Sequence, residues 1–202
     1  MNSTGKGRAA GNRARARNLG GQLRIIGGAF RSRLIRVPRR PGLRPTPDRV
    51  RQTLFDWLGQ DLSGLACLDL YAGSGALGFE AASRGAARVV MVESDLAARA
   101  ELARSRAALG AARVEIYGAD AAGYLARGHG RFDVVFLDPP FRQNAVPAIL
   151  AKLASRLAPG ARVYVESECP VEAPPPWTEL KRSRAGQVSY QLMRWNANEA
   201  QT

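Results

Sequence analysis

The apolar positions of the chain change period twice. From Leu23, the run LRIIGG followed by AFRSRLIRVP sets Phe30, Leu34, Ile35 and Val37 against Arg31, Arg33 and Arg36, which predicts two short strands joined at the Gly27-Gly28 turn. Pro38, Pro41, Pro45 and Pro47 then mark a loop. A helix is expected to open at Pro47 with Thr46 as its cap, because Val50, Leu54, Trp57 and Leu58 follow at helical spacing. After Gly64 the pattern changes again. ACLDLYA, ARVVMVE, ARVEIYGAD, RFDVVFLDPP and ARVYVESE are short β-rich runs separated by Ala- and Leu-rich helical stretches. Strands alternating with helices imply an α/β, doubly wound parallel sheet. The tail breaks the alternation: WTELKRSRAG and QVSYQLMRW have only a tight turn at Ala185-Gly186 between them, so an antiparallel C-terminal edge strand is expected to close the sheet.

Three segments follow. Residues 1–20 are Gly-, Ala- and Arg-rich with Leu19 as their one large apolar residue apart from Met1, and they are expected to form a disordered basic arm. Residues 21–62 make a small extension of β-hairpin and helix, and residues 63–197 form the main α/β domain.

Charge sharpens this division. The chain of 202 residues has a formal net charge of +13, and residues 1–51 carry 14 of its 30 Lys and Arg but only one acid, Asp48. The other residues sum to zero, so a neutral body carries a basic N-terminal quarter. That is the electrostatic signature of a protein that meets a polyanion, since each neutralised phosphate releases a counterion. No amphipathic basic helix with an aromatic face is seen in residues 1–20, which disfavours a membrane surface. Cys67 and Cys169 lack metal-ligand spacing, and His129 is the single histidine, so no metal site is expected. The N-terminal arginines have no apolar segment behind them, and no run approaches 18 apolar residues. A soluble, cytoplasmic protein is the expectation.

The chemistry gathers at expected strand ends. Asp69-Leu70-Tyr71-Ala72-Gly73-Ser74-Gly75 is a Gly-rich strand-to-helix turn, and twenty residues past Gly73 the next strand ends at Glu93, where a carboxylate can accept both hydroxyls of a ribose. Asp69 ahead of that turn would repel a pyrophosphate but suits a cationic sulfonium and an ammonium. The loop therefore favours S-adenosylmethionine over a dinucleotide, with Tyr71 beside it. The third strand ends at Asp120-Ala121, where Asp120 either accepts from an adenine amine or caps a helix. The fourth delivers Asp138-Pro139-Pro140-Phe141. An exocyclic amine on a base is a poor nucleophile. The Asp138 carboxylate and Pro139 carbonyl can accept its two hydrogens and aim its lone pair, the prolines stiffen the backbone, and Phe141 offers a stacking face. At the basic end, Arg44, Arg49 and Arg51 ring the helix start as candidate phosphate contacts, and Arg31 and Arg33 extend the cationic surface.

Taken together, LRIIGG, RPTPDRVRQTLFDWL, DLYAGSGALGFEAASRGA, DPPF and AGQVSYQL resemble the RsmD family of bacterial small-subunit ribosomal RNA guanine-N2 methyltransferases, from about Leu23 to Trp195. The resemblance implies a Rossmann-like class I fold that uses S-adenosylmethionine. Asp69, Gly73 and Gly75 would line the cofactor site, Glu93 would hold its ribose, and Asp120 its adenine. Asp138 to Phe141 would hold a guanine of 16S ribosomal RNA in the small subunit or its assembly intermediate, with Arg44, Thr46 and Arg49 at the entrance. A monomer is expected, because no apolar helix face is left unclaimed. The sequence departs from the family near Ser105, where an Asn is usual, and in its long Arg-rich arm. Two other readings remain open: a DNA adenine-N6 methyltransferase, since the amine chemistry is shared, and a non-catalytic ribosome assembly factor.

Overall fold

The structure, a computed structural model, describes residues 19–38, 46–140, 145–172 and 175–197. Strands β1 (Leu19–Arg24) and β2 (Leu34–Pro38) pair antiparallel and lead to helix α1 (Asp48–Leu58). The larger unit runs β3 (Ala66–Asp69), α2 (Ala76–Ser83), β4 (Arg88–Val92), α3 (Leu96–Leu109), β5 (Val114–Tyr117), α4 (Ala121–Arg127), β6 (Phe132–Leu137), α5 (Ala145–Leu153), β7 (Leu157–Ser167), β8 (Trp177–Ala185) and β9 (Val188–Trp195). Its seven strands take the order β5-β4-β3-β6-β7-β9-β8. All pairs from β5 to β7 are parallel, and β9 runs antiparallel to both neighbours. The last strand thus takes the inner place of the C-terminal antiparallel pair, and β8 forms the edge.

The chain winds outward from β3 to β5 and then returns to lay β6 beside β3. The strand order reverses there, and the carboxyl ends of the strands at such a reversal are the usual ligand position in sheets of this kind. Two apolar layers cover the sheet. Phe55 of α1, Phe79 of α2 and Leu102 of α3 pack on one face with Phe136 and Tyr164. Tyr124 and Leu125 of α4 and Ile149 and Leu150 of α5 pack on the other with Val135 and Val165.

Helix α2 explains how the N-terminal extension is held. All its residues except Ala82 are buried, because the sheet covers one side and the extension the other. Glu80, fully buried, accepts from the Ile26 and Gly27 amides at 2.9 and 2.8 Å and pairs with Arg51 at 3.2 Å and Arg84 at 2.9 Å. Gly28 adopts the left-handed φ of 73°, and a Cβ there would sit 1.8 Å from the Ser83 carbonyl oxygen. Gly28 is therefore required by backbone docking as well as by the bend.

Several sequence expectations change here. The joint between β1 and β2 is the longer segment 25–33, closed by Ile25 N–H to Arg33 O and Ser32 N–H to Ile25 O, each 2.9 Å. Leu34 is exposed, so the apolar alternation of β2 rests on Ile35 and Val37. Pro47, in an extended conformation, is the N-cap of α1 in place of Thr46. The expected arm lies outside the described residues up to residue 18, and Leu19 and Gly20 already belong to β1.

Candidate active site and its basic approach

Four acidic residues gather at the carboxyl ends of β3, β4, β6 and β7. Asp69 ends β3 and is buried, with Oδ2 accepting from the Gly78 amide of α2 at 3.1 Å. Burial raises its pKa to about 7, against the lowering effect of the Gly78 and Tyr71 backbone N–H groups, and the Glu93 charge pushes the same way as burial. Glu93, one residue past β4, accepts from the Gly73 amide at 2.9 Å through Oε2 and from the Asp95 amide at 2.8 Å through Oε1. Its carboxylate is thereby fixed, and each oxygen has capacity for one more donor. Gly75 bridges the turn and α2 at φ 79°, where a Cβ would meet the Phe79 ring at 2.6 Å.

Asp138, partly buried, follows β6, with Pro139 buried and Pro140 exposed beyond it. One residue past the paired Leu137 and Val165, it has Glu166 of β7 as its neighbour. Burial raises the Asp138 pKa well above the usual carboxylate range, and the charges of Glu166 and Asp69 add to this. Glu166 is itself buried and raised by burial, although the Tyr164 hydroxyl, 2.8 Å away, and the Thr46 hydroxyl both donate to it. Asp69, Glu93, Asp138 and Glu166 have no Lys or Arg at ion-pair distance among the described residues. Buried and partly buried carboxyls with no counter-cation among the described residues make a site suited to a positively charged ligand.

Tyr71 is partly buried near Asp120, whose charge is second to burial in raising its pKa. Asp120 is exposed and caps α4, with Oδ1 accepting from the Gly123 amide at 2.6 Å. The capping alternative for Asp120 thus holds for that oxygen. Ala121 sits in the apolar core, so any ligand contact it makes is through its backbone. Phe141 and Arg44 lie outside the described residues. No group of three or more His, Cys, Asp or Glu is placed to hold a metal among the described residues.

The basic surface is smaller than the sequence suggests. Arg51 is fully buried and paired with Glu80 and Asp48, at 3.2 and 2.7 Å, and donates to the Arg24 carbonyl at 2.8 Å. Its expected role as a phosphate contact is corrected: it is a structural cation joining the extension to α2. Thr46 is buried too, and its hydroxyl faces Glu166 and not solvent. Arg33 is exposed and donates to the Ala108 carbonyl near the end of α3. Arg31 and Arg49 are exposed and, with Arg24, Ser32, Asp48 and Gln52, line a groove of about 380 Å³ between the 25–33 loop and the start of α1. Arg24, Arg31 and Arg49 have no carboxylate partner among the described residues. Ser32 holds a positive φ of 67° there.

Sequence reading missed Glu166, Tyr164, Glu80 and Arg24. A signal existed for Glu166, since ARVYVESE ends the strand beside β6 with an acid in phase with Asp138. Glu80 lacked one, because an acid in a helical run reads as solvent-facing.

The model of a protein family described as "Conserved hypothetical protein 95" matches residues 23–194. The chain belongs to this family, the RsmD family. Among RsmD relatives, the "Ribosomal RNA small subunit methyltransferase D" of Escherichia coli K12 is 44% identical over 85% of this chain and 89% of its own length. The protein of the same name from Haemophilus influenzae is 40% identical over 87% and 95%. The solved structure of the Escherichia coli chain yhhF, provisionally named a methyltransferase, superposes with a TM-score of 0.80 at 42% identity, covering 88% of this chain and 99% of that one. The fold is that of class I methyltransferases.

Proposed function

We propose that this chain is an S-adenosylmethionine-dependent ribosomal RNA methyltransferase that methylates the exocyclic N2 amine of a guanine in 16S ribosomal RNA. It acts as a monomer in the cytoplasm, on the small ribosomal subunit or its assembly intermediate. The observation that carries this reading is the cluster of Asp69, Asp138 and Glu166 at the reversal point of the sheet, which has no Lys or Arg partner among the described residues, with Glu93 fixed beside it. Two relatives covered over most of their length bear the ribosomal RNA methyltransferase name.

The residues fit the cofactor. Asp69 suits its cationic end, Glu93 its ribose hydroxyls, and the Gly73–Gly75 turn lets backbone approach closely. When bound, S-adenosylmethionine supplies a methyl group already activated by its sulfonium. Asp138 and the Pro139 carbonyl then hold the target amine by its two hydrogens and turn its lone pair toward the methyl. As the N–C bond forms and the S–C bond breaks, the nitrogen sheds one proton to Asp138 or to water. Orientation supplies most of the rate, so no strong base is needed. The basic groove gives the RNA backbone a place beside α1, and Arg24 joins Arg31 and Arg49 in it.

Cofactor binding is expected to depend on pH. Asp69 has a folded-state pKa raised to about 7, so the stability it contributes is present below its unfolded value and is lost as pH rises through about 7. A bound cation reverses this penalty by favouring the carboxylate. Affinity should therefore rise by about an order of magnitude from about pH 6 to about pH 7.5, with proton release seen by calorimetry in buffers of different ionisation enthalpy. A flat profile removes Asp69 from the cationic end of the cofactor.

Replacing Arg24 and Arg49 together by Ala should weaken RNA binding and flatten its salt dependence by about one unit of slope per lost phosphate contact. An unchanged slope takes the groove off the RNA path. The reading as a whole is tested by methyl transfer from labelled S-adenosylmethionine to small subunits lacking the modification, with naked ribosomal RNA and duplex DNA alongside, followed by nucleoside analysis. N2-methylguanosine from the subunit is expected. Label in DNA adenine overturns the reading. Sedimentation should give one coefficient independent of concentration.

A further inference from the structure

We propose that Glu166 reads the N1–H of the target guanine and so selects guanine over adenine, an inference that rests on the guanine-N2 reading above. β6 and β7 are parallel neighbours, and Asp138 and Glu166 both lie one step beyond the Leu137–Val165 pair. Side chains alternate along a strand, so both point to the face occupied by Phe136 and Tyr164, which pack against Phe55 and Tyr190 at ring distances of 6.0 and 6.3 Å. Strands lie about 4.8 Å apart, so these two strand ends offer two acceptors side by side.

The Watson–Crick edge of guanine presents two donors side by side, N1–H and the N2 amine. Adenine presents an amine beside the bare lone pair of N1, which a second carboxylate repels. With Asp138 on the amine, the adjacent acceptor decides which base is tolerated. Glu166 is fixed for that role by the Tyr164 and Thr46 hydroxyls, which leave its carboxylate capacity for a further donor. Asp138 alone cannot make this distinction, because both bases carry an amine.

The test uses small subunits reconstituted with 16S RNA in which the guanosine found by label is kept or replaced by 2-aminopurine. That base retains the amine but has an unprotonated N1. Wild type should prefer guanine by about a hundredfold or more in kcat/KM, since a site built around a donor rejects the analogue lacking it. In Glu166→Gln, whose amide can donate to N1, the ratio should shrink to about tenfold or less, while S-adenosylmethionine affinity and Tm stay near wild type. A purely structural role for Glu166 lowers both substrates together and leaves the ratio unchanged, which overturns the proposal. Wild type alone also decides it: equal use of 2-aminopurine rules out a reader of N1–H even if the variant does not fold. Either result leaves the guanine-N2 reading standing, whereas failure of wild type to modify guanine removes both.

Discussion

Asp138→Ala should lower methyl transfer by about 10²–10³-fold while changing S-adenosylmethionine affinity only a few-fold. The substitution removes the carboxylate that fixes one hydrogen of the target amine, and losing one aligned hydrogen-bond partner of a reacting group typically costs that much rate. Cofactor affinity should survive because Asp69 and Glu93 remain anchored by the Gly78 and Gly73 amides. The same variant should raise the stability of the ligand-free protein, and most at alkaline pH. Asp138 has its pKa raised by burial and by its Glu166 and Asp69 neighbours, so ionisation works against the fold as pH rises. Single-turnover kinetics, cofactor titration and melting curves at acidic and alkaline pH separate these effects. Transfer within tenfold of wild type would assign the amine to other groups. Joint loss of transfer and cofactor binding would show that Asp138 belongs to the cofactor site.

Glu80→Gln should cost about 3–5 kcal/mol, the scale for removing one partner of a buried ion pair. Its carboxylate accepts from the Ile26 and Gly27 amides and from Arg51 and Arg84, so an amide leaves two guanidinium groups under-compensated and turns a donor toward donors. For a domain of this size the expected fall in Tm is on the order of 10 °C. Hydrogen exchange should show the Ile26 and Gly27 amides losing protection first, since the extension is tied to the body through this residue. A loss below about 1 kcal/mol would mean that the apolar contacts of α1 and β2 hold the extension unaided.

Much of the protein was legible in its sequence because local rules and tertiary demands agree there. Short, β-branched apolar runs such as VVFL and VVMV read as buried strands, and the helical stretches between them favour parallel pairing, so the wound sheet follows from run length, composition and order. Asp69, the Gly-rich turn, Glu93, Asp120 and Asp138 could be singled out as candidates because each lies at or just past a strand end, and a parallel sheet gathers such ends at one edge.

Tertiary structure alone decided the meaning of the charged residues. Arg51 and Arg49 stand two positions apart on one helix and look alike in sequence, yet one is buried against Glu80 and the other is exposed at a groove. Glu80 became a buried hub because α2 is covered on both sides, by the sheet and by a hairpin some fifty residues earlier in the chain. Glu166 came beside Asp138 because β7 was laid next to β6. Hydrophobic patterning encodes which residues leave water, since that depends on period. It does not encode which charge meets which partner, because that depends on what lands opposite once distant segments pack.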